Sequence, residues 1–175
     1  MKYRPFIFST MFLLLQTGVE AQKGAFSIEA GPSAGFAIIK AENFNSFYKP
    51  GFGAGIGALY NTSANGGIFF KVNYLTMCSK VAGIGSLALT TFRGGYQSYF
   101  NNSKAFVFAD AGLSTFSSGN SSSSTSATAG GGLGYSIAAG KNSNIDLTAS
   151  YDALFGSPIH SEWLNIHMGY RIRIK

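Results

Sequence analysis

Residues 51–60 read Gly51-Phe52-Gly53-Ala54-Gly55-Ile56-Gly57-Ala58-Leu59-Tyr60. The stretch resembles a glycine-rich phosphate loop, but its period argues otherwise. Phe52, Ala54, Ile56, Ala58 and Tyr60 fall on one parity, and Gly51, Gly53, Gly55 and Gly57 on the other. Alternation of this kind puts the two sets on opposite faces of a strand. A dinucleotide fingerprint would need a helix directly after the glycines and an acid about 20 residues on. Here Asn61 to Gly67 predicts a turn and then another strand. The glycines mark a face, not a loop.

Working outward, the same period recurs. Leu164, Ile166, Met168, Tyr170, Ile172 and Ile174 alternate with Asn165, His167, Gly169, Arg171, Arg173 and Lys175. Ile145, Leu147, Ala149, Tyr151, Ala153 and Phe155 oppose Asp146, Thr148, Ser150 and Asp152. Phe26, Ile28, Ala30, Ala34 and Phe36 oppose Ser27, Glu29, Gly31, Ser33 and Gly35, with Pro32 predicting a local bend or bulge. Residues 68–74, 87–100, 105–116 and 128–139 follow the rule less strictly. Phe69, Phe106 and Phe108 fall on the polar side. The pattern predicts about eight strands. Short polar turns are expected at 61–67, 100–104 and 140–144. Longer connections are expected at 39–49, 78–86, 117–127 and 156–162, the third a Ser/Thr-rich low-complexity tract. Short and long connectors therefore lie at opposite ends of the array.

Composition says what surrounds these strands. Of 175 residues, 46% are hydrophobic and only 11% charged, against roughly 25% charged in soluble domains. After the first 21 residues no apolar run reaches the roughly 20 needed for a membrane helix. Strands that cross a bilayer must pair every backbone group and so close into a barrel, apolar outside and polar within. An all-β, eight-stranded, antiparallel up-and-down transmembrane β-barrel is expected. Residues 1–21 read as a cleaved signal peptide: Lys2 and Arg4, an apolar segment from Phe6 to Leu15, then Val19-Glu20-Ala21 before Gln22. Residues 22–175 form the barrel domain. The chain is thus expected to be exported to the cell outer membrane.

Inside so narrow a barrel side chains fill the space. Inward glycines at 53, 55, 57, 130, 132 and 134 leave room for larger neighbours. The expected inward acids are Glu29, Asp110, Asp146 and Asp152; the expected inward bases are Lys71, Arg93, Arg171 and Arg173, with His167 in the same network. Buried charges are tolerated when paired, so the network reads as a structural plug, with a proton or ion path as the alternative. Tyrosines 60, 74, 96, 135, 151 and 170 fit interfacial girdles. The single Cys78 forms no internal disulfide and reads as a small packed residue without a role. The net charge of +6 is scattered except at Arg171, Arg173 and Lys175, which does not suit nucleic acid. No metal-ligand spacing occurs, and no cofactor or catalytic residue is expected.

The signal segment, AFSIEAGPSAGF, GFGAGIGALY and the closing WLNIHMGYRIRIK resemble the small Gram-negative outer-membrane β-barrel domain family, the "porin family" or OmpX/OmpA-transmembrane-like group. The resemblance implies insertion by the barrel-assembly machinery, with Tyr170, Ile172 and Ile174 matching the apolar alternation of the terminal-strand signal. Many members end in an aromatic residue, whereas this chain ends Ile174-Lys175. No peptidoglycan-binding domain is expected after the last strand. Expected partners are the lipid bilayer and lipopolysaccharide, with a surface partner for the loops that the sequence does not name. The expected role is non-enzymatic: envelope integrity, adhesion or defence. The alternatives are a porin-like channel for ions or small solutes, a lipid-modifying enzyme using Asp152, Ser157, His160 and Ser161, and a soluble lipocalin-like binder.

Overall fold

The computed structural model describes residues 23–39, 48–83, 85–100, 103–118, 123–155 and 162–174. The signal segment, Ser157, His160 and Ser161 lie outside them. Eight strands follow one another: β1 Phe26–Ile39, β2 Gly51–Ser63, β3 Gly66–Met77, β4 Leu87–Tyr99, β5 Ala105–Ser118, β6 Ser124–Ala138, β7 Ser143–Phe155 and β8 Glu162–Ile174. Each pairs antiparallel with its neighbour, and β1 closes onto β8 to complete the barrel. The closing seam sets Phe26 opposite Ile174, Glu29 opposite Arg171 and Ser33 opposite His167. Closure leaves no unpaired edge. No helix among the described residues is long and apolar enough to cross a membrane.

The faces follow the alternation. Phe52, Ile56, Tyr60, Leu133, Ile166 and Tyr170 are exposed on the outer wall, with Phe52 at 65% and Leu133 at 62%. The glycine parity faces inward, where neighbouring side chains occupy the space a Cβ would need. A methyl group at Gly134 would fall inside the ring of Phe106, and one at Gly55 would collide with the Asn73 amide. At Gly53 and Gly132 the added methyl would meet the backbone carbonyls of Tyr74 and Ala149, so close approach requires glycine there.

Five expectations need correction. Pro32 causes no bulge. The β8 ladder lapses at Gly31 and Pro32, since proline has no N–H, but Ala30↔Tyr170 and Ser33↔His167 keep one register, and the shift falls between Ala37 and Ile39. The described part of the Ser/Thr tract is mostly strand: Ser124, Thr125 and Ser126 pair with Phe116, Thr115 and Ser114. Thr115 and Thr125 also share a hydrogen bond of 3.1 Å on the outer wall. β-Branched threonine suits a strand, and cross-strand hydroxyl pairs reinforce it. The turn expected at 61–67 shrinks likewise, because β2 runs to Ser63 and β3 starts at Gly66. Cys78 is exposed at the long-loop end rather than packed.

The fifth correction concerns the inner face, which is not only glycine and charge. At the long-loop end Leu75, Met77, Leu89, Phe116, Leu154 and Trp163 form a buried cluster inside the barrel. At the same height the outer wall of β3 to β6 turns polar, with Thr76, Thr90, Thr115 and Thr125. The strands have 12 to 15 residues, more than the roughly 9–11 that a bilayer requires. Their surplus at this end has the polarity of a water-soluble barrel, with apolar groups in and hydroxyls out.

Candidate functional site

The inward face stacks into three layers. At mid-height β1, β3 and β8 bring Glu29, Lys71 and His167 together. Lys71 Nζ donates to Glu29 Oε1 at 3.0 Å, and His167 Nε2 lies 2.7 Å from the same oxygen. The other ring nitrogen, Nδ1, is 2.8 Å from Ser33 Oγ. A carboxylate can only accept, so a neutral ring carries its proton on Nε2, and Nδ1 accepts from the serine hydroxyl. Across the lumen Arg93 from β4 donates to Asp152 of β7 and stands 3.6 Å from Asp110 of β5. Asn165 Nδ2 donates to Asp152 Oδ2, and Ser150 Oγ donates to the same oxygen at 3.3 Å.

Nearer the short turns, Arg171 pairs with Asp146 at 3.2 Å and donates to Ser136 Oγ at 2.8 Å, while that hydroxyl donates to Asp146. Beside this cluster Tyr99, Phe106 and Phe108 pack ring on ring, and Phe69 meets Phe108 edge-on with centroids 5.9 Å apart. Arg173 is half-buried at this end, its backbone N–H donating to Asn142 O at 2.8 Å. At the far end, the six apolar side chains pack inside the lumen from β3, β4, β5, β7 and β8, with Phe116 and Trp163 centroids 6.4 Å apart.

Between the layers lies a cavity of about 60 Å³. Glu29, Ser33, Lys71, Asn73, Thr91, Arg93, Asp110, Asn165 and His167 line it, with Leu75 and Leu89 on one side and Phe69, Phe106 and Phe108 on the other. Three carboxylates (Glu29, Asp110 and Asp152) thus share the mid-lumen with two cations (Lys71 and Arg93) and one imidazole. Among the described residues no group of three or more His, Cys, Asp or Glu side chains is placed to hold a metal ion. Asp152, one of the four residues of the enzyme alternative, is buried within the Arg93 cluster.

The parity reading set Ser33 and Asn165 on the inward face but did not count them, or Asn73, Thr91, Tyr99 and Ser136, among the contributors to this interior. Their parity with the charged residues was the available signal. It also missed the apolar layer, whose signal is the loss of alternation in Tyr74-Leu75 and Leu87-Ala88-Leu89.

No family model and no curated protein matches the chain. Solved structures do. Neisserial surface protein A is 18% identical, with a TM-score of 0.66 over 87% of this chain and 100% of that one. Ail, the attachment invasion locus protein of Yersinia pestis, is 17% identical, with a TM-score of 0.60 over 87% and 100%. The outer membrane protein OprG of Pseudomonas aeruginosa is 10% identical, with a TM-score of 0.59 over 90% and 98%. The fold is that of small outer-membrane barrels, as the resemblance implied.

Proposed function

We propose that the chain is an integral outer-membrane β-barrel protein whose lumen is filled by side chains and whose loops act at the cell surface, in envelope integrity, adhesion or defence. The observation that carries this reading is the outer wall: a closed belt of exposed Phe, Ile, Leu, Tyr and Met on a barrel whose ion pairs lie inside. A soluble ligand barrel has the opposite polarity. Within hydrocarbon this belt costs nothing, whereas in water it would form an apolar surface far beyond the roughly 300–600 Å² of a typical monomer's largest patch.

The filled lumen favours a structural and surface role over conduction. The mid-lumen ion pairs act as a plug that ties β1, β3, β4, β7 and β8 together. Ail, one of the similar barrels, has been solved with the heparin analogue sucrose octasulfate, which supports an extracellular ligand as the kind of partner to seek. The chain acts without enzymatic chemistry, contacts lipopolysaccharide through its outer wall, and enters the membrane through the barrel-assembly machinery. Residues 1–21 direct its export.

Fractionation tests the location, and surface proteolysis of intact cells tests the topology. The protein is expected in the outer-membrane fraction, released only by detergent, with heat-modifiable gel migration and cleavage confined to the long-loop end near 117–127. Release without detergent would overturn the reading. Planar-bilayer recording tests the plug, and stepwise conductance by the native chain would replace it with the channel alternative.

A further inference from the structure

The mid-lumen ion pairs do not complete the polar demands of the cavity they border. Asn73 Oδ1, Thr91 Oγ1, Arg93 Nε and Asp110 Oδ1 are buried without a hydrogen-bond partner among the described residues. All four residues line the cavity. Asn73 and Thr91 face each other across the β3–β4 ladder, with Arg93 two residues along β4 and Asp110 on β5. Native proteins seldom leave such groups orphaned, and each costs about 1–3 kcal/mol when they do. The cavity's volume of about 60 Å³ is well above the roughly 10–15 Å³ needed to hold one water, and at roughly 30 Å³ each it takes about two. Two oxygens that accept, one hydroxyl and one N–H that donates suit water, which both gives and takes hydrogen bonds.

The layer above this cavity has the opposite character. Met77 is 0% exposed, Trp163 1%, and Leu75 and Leu89 3% each. Their cluster draws on five strands and therefore spans the cross-section of the barrel. The six side chains themselves offer water and ions no polar partner, and the only buried hydroxyls beside them among the described residues are those of Ser114, Ser126 and Thr128 on β5 and β6. The charged network at mid-height offers such partners throughout, so the apolar layer forms the higher barrier toward the loop end.

We infer that the barrel holds a closed hydration site: a water cluster bound by Asn73, Thr91, Arg93 and Asp110, isolated from the long-loop surface by the septum of Leu75, Met77, Leu89, Phe116, Leu154 and Trp163. The site depends on the barrel interior alone. Its test in detergent micelles therefore fails or succeeds separately from the membrane reading above.

Two measurements decide it. Water-to-protein NOE spectra of the native chain in micelles test occupancy. Cross-peaks from water to the Asn73 side-chain amide and the Thr91 methyl are expected, and their absence would overturn the hydration site. Thiol reaction with methyl methanethiosulfonate tests the septum. Thr91→Cys in a Cys78→Ser background is expected to react about a hundredfold more slowly than the exposed Cys78 of the native chain, because a buried thiol reacts only through local opening. Trp163→Ala should raise that rate about tenfold. Leu154→Ala is the second opening variant if Trp163→Ala loses heat-modifiable migration. Reaction at position 91 as fast as at Cys78 would overturn the septum, as would a rate that neither truncation changes.

Discussion

Arg93→Met removes the cation that holds two buried carboxylates. The side chains of Arg93, Asp110 and Asp152 are 6%, 3% and 4% exposed. Asp152 retains the Asn165 amide and the Ser150 hydroxyl, whereas Asp110 Oδ1 has no other partner among the described residues. Leaving one buried charge uncompensated costs about 3–5 kcal/mol, and the orphaned Asp110 places this variant in the upper part of that range. The unfolding equilibrium should shift on the order of 10³- to 10⁴-fold. The chain has a single tryptophan, Trp163, buried in the septum, so its fluorescence reports unfolding directly. Urea titration of the barrel in phospholipid vesicles, scored by Trp163 emission and by heat-modifiable migration, gives the number. The companion variant Arg93→Met/Asp110→Leu/Asp152→Asn removes both orphaned charges and keeps an acceptor for Asn165. It should recover to within about 2 kcal/mol of the native chain, since replacing a whole buried ionic group is often neutral. A loss under about 1 kcal/mol for Arg93→Met would refute the claim that Arg93 compensates these carboxylates. A triple variant no more stable than the single one would show that packing of the arginine stem, not its charge, was lost.

Other substitutions probe the two faces. Gly134→Ala drives a methyl into the Phe106 ring and should cost about 1–3 kcal/mol in the same titration, with Phe106→Leu in the same chain restoring most of it. Leu133→Arg places a charge on the outer wall midway along β6 and should cost about 2–4 kcal/mol, whereas Thr125→Arg at the loop-end rim should cost about 0–1; equal costs would contradict the polarity change at that rim. Cys78 is exposed at the long-loop end, so a membrane-impermeant maleimide should label it in intact cells, and labelling only after lysis would reverse the proposed orientation.

From Leu164 onward β8 was legible because its outward residues are all apolar and its inward residues polar or small, so sequence parity and spatial face coincide. Leu75, Met77, Leu89 and Trp163 were not, since an apolar residue directed into the septum has the same composition as one directed at lipid. Phe106 and Phe108 broke the parity and were the clue to the inner aromatic layer, yet only the facing Gly132 and Gly134 explain how such rings fit. The Ser/Thr tract at 117–127 disguised strand as linker: its polar composition reads as loop, yet Thr125 lies in β6 and shares a hydrogen bond with Thr115 across the β5–β6 ladder. The inward charges could be assigned from parity, but their partners could not. Glu29 meets Lys71 and His167, which are 42 and 138 residues away. Such pairs depend on the stagger of neighbouring strands, and no local spacing in the chain encodes it.

The central claim is that the apolar wall faces lipid and the glycine-and-charge face the barrel axis. Nitroxide labels at Ile166 and Ile172, both outward on β8, and at Asn165 and Arg173 on the opposite parity, test it in vesicles. The account predicts relaxation by oxygen and shielding from a water-soluble nickel chelate at 166 and 172, and no acyl-chain contact at 165 and 173. Nickel access at 166 and 172 with oxygen-dominated relaxation at 165 and 173 would contradict it.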